Sequence, residues 1–442
     1  MLYPIRQPAL APRQSAPSRA PIRSHKRAIA AKYLPLGAVV AAASLMTPQA
    51  AQAQTLGDEV LLPTDIFNAP RGEGLRVSPV LILRPQLDIT GQYDTNVYNQ
   101  STNEIDDILA VIRPAMTLVT DLPRHELEFY ADAQLRRYAE TSAENSEQYQ
   151  LRGSTRYDLG ERTTLATDVG VARRIERRGT TGDTFNTDSP IEFTEVYAGF
   201  QAARTGAQLE IIGDADFRRT DYSDSEVGGL PVLLDFRNAR TMSGAVTTRY
   251  RIGPSTRATV RMGLNDVKYL VNTGAPRDSW GYNALAGIQY EVSSLIDIEV
   301  AAGYVHQEFE DPTVDSVDGF DYLISIDWTP KPQYLVTLEG RRNIVASPLN
   351  NSPVIVRSTL GLTGQAAATD RLLFDAAATF THEDYSGLDR ADRFYFIGGG
   401  ISYRLIENVM ARTMIGWRKR DSDILAAEYD GIAIGLGLSL VI

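Results

Sequence analysis

The chain contains no cysteine, which excludes disulfide frameworks and metal sites built on thiolates. Histidine is nearly as scarce, with four residues in 442, and His125, His306 and His382 lie far apart in the sequence. No G-x-S-x-G, H-E-x-x-H or P-loop motif occurs, and these motifs mark common catalytic or nucleotide-binding sites. We therefore expect no enzymatic activity, no cofactor and no resident metal ion.

Basic residues are fewer than acidic residues in the part of the chain that follows the N-terminal segment. Residues 1–53 contain seven Lys or Arg and no acidic residue, which leaves 37 basic against 55 acidic residues and a net charge of −18 for the rest. Such a chain is poorly suited to nucleic acid, because phosphate neutralisation needs a cationic face. We expect no nucleic-acid partner.

Long apolar runs are absent except at residues 33–46, where 14 mostly apolar residues follow a basic segment. Ala51-Gln52-Ala53 then supplies an A-x-A cleavage site, and this three-part pattern predicts a secretory signal peptide over residues 1–53. A membrane anchor is the alternative, but the run is shorter than the roughly 20 residues that a transmembrane helix needs. No other stretch of the sequence could form such a helix.

Strict alternation replaces apolar runs in the rest of the chain, and residues 430–442 show it most clearly. Ile432, Ile434, Leu436, Leu438 and Leu440 alternate there with alanine, glycine, serine and valine. Successive side chains of a strand point to opposite faces, so this segment predicts a strand with one aliphatic face. An exposed apolar edge strand promotes aggregation, whereas in a closed barrel the last strand pairs with the first.

The connections between the alternating segments are of two kinds. Eight short turns, such as residues 121–124 and 204–206, alternate with nine longer polar loops, such as residues 176–190 and 221–237. Short periplasmic turns and long external loops are typical of outer-membrane barrels. We predict an all-β fold: an antiparallel, up-and-down transmembrane barrel of about 18 strands over residues 81–442, preceded by a periplasmic arm or partial plug at residues 54–80.

A soluble β-sandwich would also alternate, with its apolar face forming the core. Three features favour the membrane barrel: the pattern covers the whole chain without a helical break, it closes on an apolar strand, and aromatic residues gather near strand ends, where interfacial girdles lie. These aromatic residues are Tyr93, Phe193, Phe217, Tyr250, Tyr269, Trp280, Tyr290, Tyr304, Trp328, Tyr334, Phe394, Tyr403 and Trp417.

About eighteen strands enclose an interior wide enough for an aqueous channel. The alternation places charged groups of both signs on the inner face, where they either contact cargo or only pair with each other. A register error of one residue would reverse every assignment. The candidate lumen-lining residues are Arg136, Arg152, Arg156, Arg249, Arg261, Arg341, Arg357, Glu128, Asp132, Glu210, Asp214, Glu339 and Asp375.

Four short motifs resemble those of a known family, in the same order. They are G-Q-Y-D-T-N-V-Y at residues 91–98, R-P-A-M-T-L-V-T-D at 113–121, R-D-S-W-G-Y at 277–282 and Y-S-G-L-D-R-A-D at 385–392. Together they resemble the putative β-barrel porins of type 2, which are outer-membrane proteins often associated with exopolysaccharide production. The resemblance extends over essentially the whole chain after the signal peptide and implies no catalytic residue.

The polar interior and the resemblance together predict a passive channel in the outer membrane of a Gram-negative bacterium, used to secrete an extracellular polysaccharide. A general diffusion porin for small hydrophilic solutes is the alternative, and a barrel enzyme or adhesin is a third class. The expected partners are outer-membrane lipid, the cargo polysaccharide or solute, and the barrel-assembly machinery. The resemblance adds periplasmic polysaccharide-export proteins to these.

Overall fold

The computed structural model describes residues 72–122, 124–271 and 277–442. The first strands are β1 (Leu75–Ser78), β2 (Leu81–Asp94), β3 (Asp107–Thr120), β4 (His125–Tyr138), β5 (Ser146–Asp158), β6 (Thr163–Glu176), β7 (Ile191–Thr205), β8 (Leu209–Tyr222), β9 (Ser225–Val227) and β10 (Leu230–Val232). The others are β11 (Ala239–Arg251), β12 (Thr256–Tyr269), β13 (Ser279–Ser293), β14 (Ile296–Phe309), β15 (Val317–Trp328), β16 (Tyr334–Ala346), β17 (Val354–Ala367), β18 (Leu372–Tyr385), β19 (Ala391–Ile406), β20 (Val409–Ser422) and β21 (Tyr429–Val441). Short 3-10 turns occupy Ser142–Glu144, Asp235–Arg237 and Leu425–Ala427.

Eighteen of these strands, β2–β8 and β11–β21, form one closed antiparallel barrel. Each pairs with the next barrel strand in chain order, with β8 pairing directly to β11 across the small β9–β10 hairpin. The barrel closes where residues 86–94 of β2 pair with residues 433–441 of β21. The predicted all-β, up-and-down barrel of about 18 strands is confirmed.

Connection length alternates around the barrel as the sequence predicted. Short turns join the strands at one end, for example residues 159–162 and 407–408, and longer loops join them at the other, for example residues 95–106 and 177–190. Outer-membrane barrels place short turns in the periplasm and long loops outside. We therefore call the two ends the periplasmic end and the outer mouth.

The outer face of the barrel is apolar. On β21, Leu436 is 65 % exposed on this face, whereas Ala433 is fully buried on the inner face. The same contrast recurs around the wall, because directly opposed residues of paired strands share a face. An apolar outer surface on a closed sheet suits hydrocarbon, since closure satisfies the backbone hydrogen bonds. Among the described residues, no helix combines the length and the apolar character needed to cross a bilayer.

Most aromatic residues near strand ends lie on the outer face, but three of those expected in a girdle face inward. Phe193, Tyr269 and Phe394 are buried near the outer mouth. There Phe193 packs against Tyr222 with 5.3 Å between ring centroids, and Arg420 lies 4.8 Å from the centroid of the Phe394 ring. Their positions near strand ends predicted that they belong to the girdle. A girdle residue must also point outward, and these three side chains point into the lumen.

The segment before the barrel is described only from residue 72. Its residues 75–78 form β1, which pairs with residues 81–83 of β2. The pairing of β21 with β2 extends no lower than Gln86, so β1 occupies the edge of β2 that β21 leaves open. The predicted signal peptide at residues 1–53 and the first part of the predicted arm lie outside the described residues.

Candidate functional site

The inner face of the barrel wall is the candidate functional surface. Strand parity places all thirteen predicted lumen residues on this face, because their neighbours along the strands, such as Phe129, Leu151, Ile211 and Met262, are exposed apolar residues of the outer face. The predicted residues are spread over the full height of the wall and over eight strands, β4, β5, β8, β11, β12, β16, β17 and β18. They therefore form a lining and not a single cluster.

Ion pairs bring several of these residues together in the half of the lumen nearer the periplasm. Arg249 on β11 reaches Glu210 on one side at 3.3 Å and Glu299 on the other at 3.4 Å. Arg261 lies 3.8 Å from Asp214. These contacts link strands β8, β11, β12 and β14, so they brace a continuous part of the wall.

Other predicted residues each pair with one further group on the inner face. Asp375 accepts from Arg412 at 3.0 Å, and Asp132 accepts from Arg113 at 3.2 Å. Further pairs join Arg152 to Asp168 and Arg156 to Asp158. Five predicted residues complete the lining: Glu128 near the periplasmic end of β4, Arg136 near its outer end, Glu339 and Arg341 on the inner face of β16, and Arg357 on β17.

Exposure within the lumen falls from the periplasmic end to the outer mouth. The Arg156 side chain near the periplasmic end is 61 % exposed, whereas the Arg357 side chain near the mouth is 3 % exposed. A uniformly open pore would not bury wall side chains at one end only. The outer mouth must therefore be filled by other parts of the chain.

Residues 177–190, the loop between β6 and β7, supply most of this filling, and we call them the mouth loop. Thr180, Thr181 and Thr187 are buried, although a loop at this end of a barrel normally meets water. β17 is nine strands away from β6 in the eighteen-strand order, so it stands on the opposite side of the barrel. Since the mouth loop contacts β17 and β18, it crosses the lumen.

Arg178 holds the mouth loop in its folded form. Its guanidinium pairs with Glu144 of the β4–β5 loop at 2.7 Å and donates to the main-chain oxygen of Thr187 at 2.6 Å. The same guanidinium lies 3.3 Å from Asp183 within the loop. Burial raises the pKa of both Glu144 and Asp183, and the adjacent Arg178 opposes that rise. The result is a buried polar core inside the loop.

The tip of the mouth loop, residues 179–182, is hydrogen-bonded to strands β18, β20 and β21 and to the β8–β11 loop. Thr181 donates its hydroxyl proton to Glu383 of β18 at 2.9 Å. The main-chain oxygen of Gly179 accepts from Arg420 at 3.2 Å and from Tyr429 at 3.3 Å. The oxygen of Gly182 accepts from Arg237 at 3.2 Å. Gly179 has φ +77°, a conformation that favours glycine, and an added Cβ there would lie 2.7 Å from the Cβ of Asn99.

Buried ion pairs surround this tip at the level of the mouth. Arg357 donates to Glu383 at 2.6 Å, Arg237 lies 2.8 Å from Glu176, and Arg420 lies 2.6 Å from Asp392. Next to them, Arg418 lies 2.7 Å from Asp94. Each guanidinium has a carboxylate partner, which offsets part of the cost of burying charge, and Asp392 also pairs with Arg390 at 2.9 Å. Of these residues, only Arg357 was predicted from the sequence.

Arg277 ties together three loops beside the mouth loop. It is 6 % exposed and donates to the main-chain oxygens of Phe236 at 2.7 Å and Ser347 at 3.0 Å. Its guanidinium also lies 4.1 Å from the centroid of the Tyr269 ring. The contacts link the β8–β11, β12–β13 and β16–β17 loops, so Arg277 holds these three loops together.

Replacing Arg277 with alanine is expected to loosen these loops while the barrel remains folded. Hydrogen bonds from a charged donor contribute about 1.5–3 kcal/mol each, so amide hydrogen exchange in the β8–β11 and β16–β17 loops should accelerate at least roughly tenfold. Mass spectrometry of the exchanging protein measures this. Arg219→Ala removes an exposed pair with Asp221 and should change exchange little. Equal amide exchange rates in the two variants would show that Arg277 does not hold these loops together.

The sequence did not reveal that the mouth loop folds inward. The one local signal is its composition: T-T-G-D-T at residues 180–184 combines small and hydroxyl-bearing residues with a glycine. Such residues are equally typical of solvent-exposed loops. The partners that distinguish the two cases, such as Glu383 and Arg420, are 202 and 241 positions away in the sequence. Within the described ranges, no group of three or more His, Asp or Glu is placed to hold a metal ion.

Comparison with known proteins gives one family match and several distant structural likenesses. The model of the family described as "Putative beta-barrel porin 2" matches residues 74–441. No protein of curated function matches the sequence. The siderophore receptor PirA of Acinetobacter baumannii is 7 % identical, with 81 % of this chain and 80 % of that chain covered and a TM-score of 0.47. Pseudomonas aeruginosa OccK3 (OpdO) is 10 % identical, with 81 % and 96 % covered and a TM-score of 0.42.

Proposed function

Since the chain belongs to the putative β-barrel porin 2 family, we propose that it is an outer-membrane channel through which an extracellular polysaccharide leaves the cell. The supporting observation is the inner wall, where guanidinium, carboxylate, hydroxyl and amide groups follow one another along the height of the lumen. Sugar hydroxyls both donate and accept hydrogen bonds, and such a wall offers partners for both. The apolar outer face would contact outer-membrane lipid.

The proposal includes partners. A polymer made inside the cell must be delivered to the periplasmic end of the barrel, where the lumen lining is most exposed. Periplasmic polysaccharide-export proteins would dock at this end, and the barrel-assembly machinery would insert the protein into the membrane. Channel activity requires nothing chemical from the wall beyond reversible hydrogen bonding, so no enzymatic step belongs to this function.

A specific observation favours the second candidate, a diffusion porin for small hydrophilic solutes. The mouth loop spans the lumen and is bonded to the far wall. A polymer can pass only if this loop moves aside, whereas small solutes need a narrower gap. The two candidates share the membrane, the barrel and the polar lining, and they differ in the size of the cargo.

Purified protein in planar lipid bilayers is expected to give stepwise ionic currents without any partner protein. A porin for small solutes would also admit monosaccharides into proteoliposomes without a partner, as liposome swelling measures. A polysaccharide conduit is instead expected to show its effect in cells, where deletion of the gene should abolish surface polysaccharide. Unchanged polysaccharide in the deletion strain would exclude the export role, and absence of any current would count against a channel.

A further inference from the structure

The tip of the mouth loop makes the hydrogen bonds described above through its oxygen atoms. The main-chain oxygens of Gly179 and Gly182 accept from arginine and tyrosine donors, and the Thr181 hydroxyl donates to a carboxylate. The guanidinium of Arg357 also approaches the Thr181 hydroxyl oxygen at 3.4 Å. These are the hydrogen-bond roles that the hydroxyl groups of a sugar chain would take, as acceptors from guanidinium groups and as donors to a carboxylate.

We propose that Arg237, Arg357, Glu383, Arg420 and Tyr429 form a contact site for a hydroxyl-rich chain, and that the mouth loop covers this site as a displaceable gate. We call these five residues the mouth site. The inference rests on the proposed channel function and deepens it, because it specifies where cargo binds and what keeps the channel closed. Cargo arriving from the periplasmic end would compete with the oxygens of the loop for the same donors and the same carboxylate.

The wall can release the loop without stranding a buried charge. Arg357 keeps Glu383, Arg237 keeps Glu176 and Arg420 keeps Asp392 when the loop tip leaves. A buried charge that loses its only partner is strongly destabilising, and that cost does not arise here. The contacts that break are individual hydrogen bonds from the loop to these ion-paired groups and to the neutral hydroxyl of Tyr429.

The root of the mouth loop is anchored differently from its tip, which defines the moving part. Phe185 packs against the apolar cluster of Ile191, Leu234 and Phe236. Asp188 accepts from the backbone N–H groups of Gly228 and Gly229 at 2.8 and 2.9 Å. Apolar packing and backbone hydrogen bonds thus fix the root to the β7–β11 side, whereas the tip at residues 179–182 is held by the hydrogen bonds described above and lies against the ring of Tyr429. The geometry favours a swing of the tip about a fixed root.

Disulfide locking tests the gate, and the absence of cysteine from the chain makes the test clean. In N99C/G179C, the ideal Cβ at residue 179 lies 2.7 Å from the Cβ of residue 99 and 2.7 Å from Cε1 of Tyr429, and both positions have a positive φ. The tip must therefore shift for the two Cβ atoms to reach the roughly 3.5–4.5 Å of a disulfide. The matched control N96C/G431C has a corresponding distance of 3.3 Å and ties the β2–β3 loop to β21 without holding the mouth loop.

Oxidised N99C/G179C is expected to conduct at least about tenfold less than the same protein after reduction, while the control conducts equally in both states. T181V removes the hydroxyl contacts of Thr181 with Glu383 and Arg357 and should raise the open fraction about tenfold, in line with the loss of a hydrogen bond to a charged group. T181V also tests the gate if the double-cysteine protein does not fold. Equal conductance of the oxidised and reduced lock, or an unchanged open fraction in T181V, would overturn the gate.

Current block by maltohexaose, added on the periplasmic side, tests the mouth site itself. In the T181V background, adding Y429F is expected to raise the concentration for half block about threefold to tenfold, as for the loss of one neutral hydrogen bond. T413V on the outer face of β20 serves as the control and should leave the block unchanged. An unchanged block in T181V/Y429F would overturn the site. If no variant conducts at all, the proposed channel function fails, whereas failure of the lock or of the block alone leaves that function standing.

Discussion

Replacing Glu383 with alanine is expected to lower the free energy of unfolding by about 3–5 kcal/mol, because it leaves a buried guanidinium without its counter-charge. Arg357 and Glu383 are 3 % and 0 % exposed in their side chains, and Arg357 donates to Glu383 at 2.6 Å. The same substitution removes the acceptor of Thr181. Urea unfolding of the protein in lipid vesicles, followed by the fluorescence of its three tryptophans, measures the change.

The lumen supplies a matched control near its open end. Asp158 pairs with Arg156 at 3.2 Å, but those side chains are 31 % and 61 % exposed. Exposed pairs contribute about 0–1 kcal/mol, so Asp158→Ala should change the unfolding free energy within that range. If both alanine variants lost the same free energy of unfolding, the side chains at the outer mouth would be as accessible to water as those at the periplasmic end. The conclusion that the outer mouth is filled would then be wrong.

Replacing Leu436 with arginine is expected to destabilise the inserted barrel by about 2–4 kcal/mol, the cost of an arginine on the lipid face near the middle of the bilayer. Leu436 lies near the middle of β21 on the apolar outer face and is 65 % exposed there. In a soluble protein an exposed leucine accepts arginine readily, so the large effect depends on lipid contact. Unfolding from vesicles, or the fraction of protein that folds into them, reports the difference.

The control for this substitution is Ser439→Arg on the inner face of the same strand. Ser439 is paired in register with Asp88 of β2, and an arginine there would meet water and a carboxylate. We expect a change within about 1 kcal/mol. The opposite order, with Ser439→Arg costing more than Leu436→Arg, would mean that the two faces of the wall have been assigned the wrong way round.

Much of the wall could be predicted because its determinants are local. Alternation of Ile432, Ile434 and Leu436 with small residues fixes which face of β21 is apolar, since side-chain direction repeats every two residues. The alternation of short turns with long loops similarly predicted the number of strands and the up-and-down order that the structure shows. Family membership, inferred from four short motifs, agrees with the match over residues 74–441.

The pairing of the lumen charges could be predicted only in part. Parity identifies Arg249 as inward, but its contacts to Glu210 and Glu299 depend on the register between strands. Partners such as Asp168 for Arg152 lie on strands whose relative height the sequence pattern leaves open. The alternation of side chains predicts which face of the wall a residue occupies. An ion pair also requires that both residues lie at a similar height in the wall.

The sequence by itself thus determined the class of the protein, the apolar and polar faces of its wall and the order of its strands, because each depends on a period of two or on a turn between neighbours. Only the tertiary structure decided what occupies the outer mouth. The mouth loop is held by Glu383, Arg420 and Tyr429, which lie about 200 to 250 positions further along the chain. Closure of the barrel places β18 across the lumen from β6, and β20 and β21 on the wall between them. No local pattern within residues 177–190 predicts these partners.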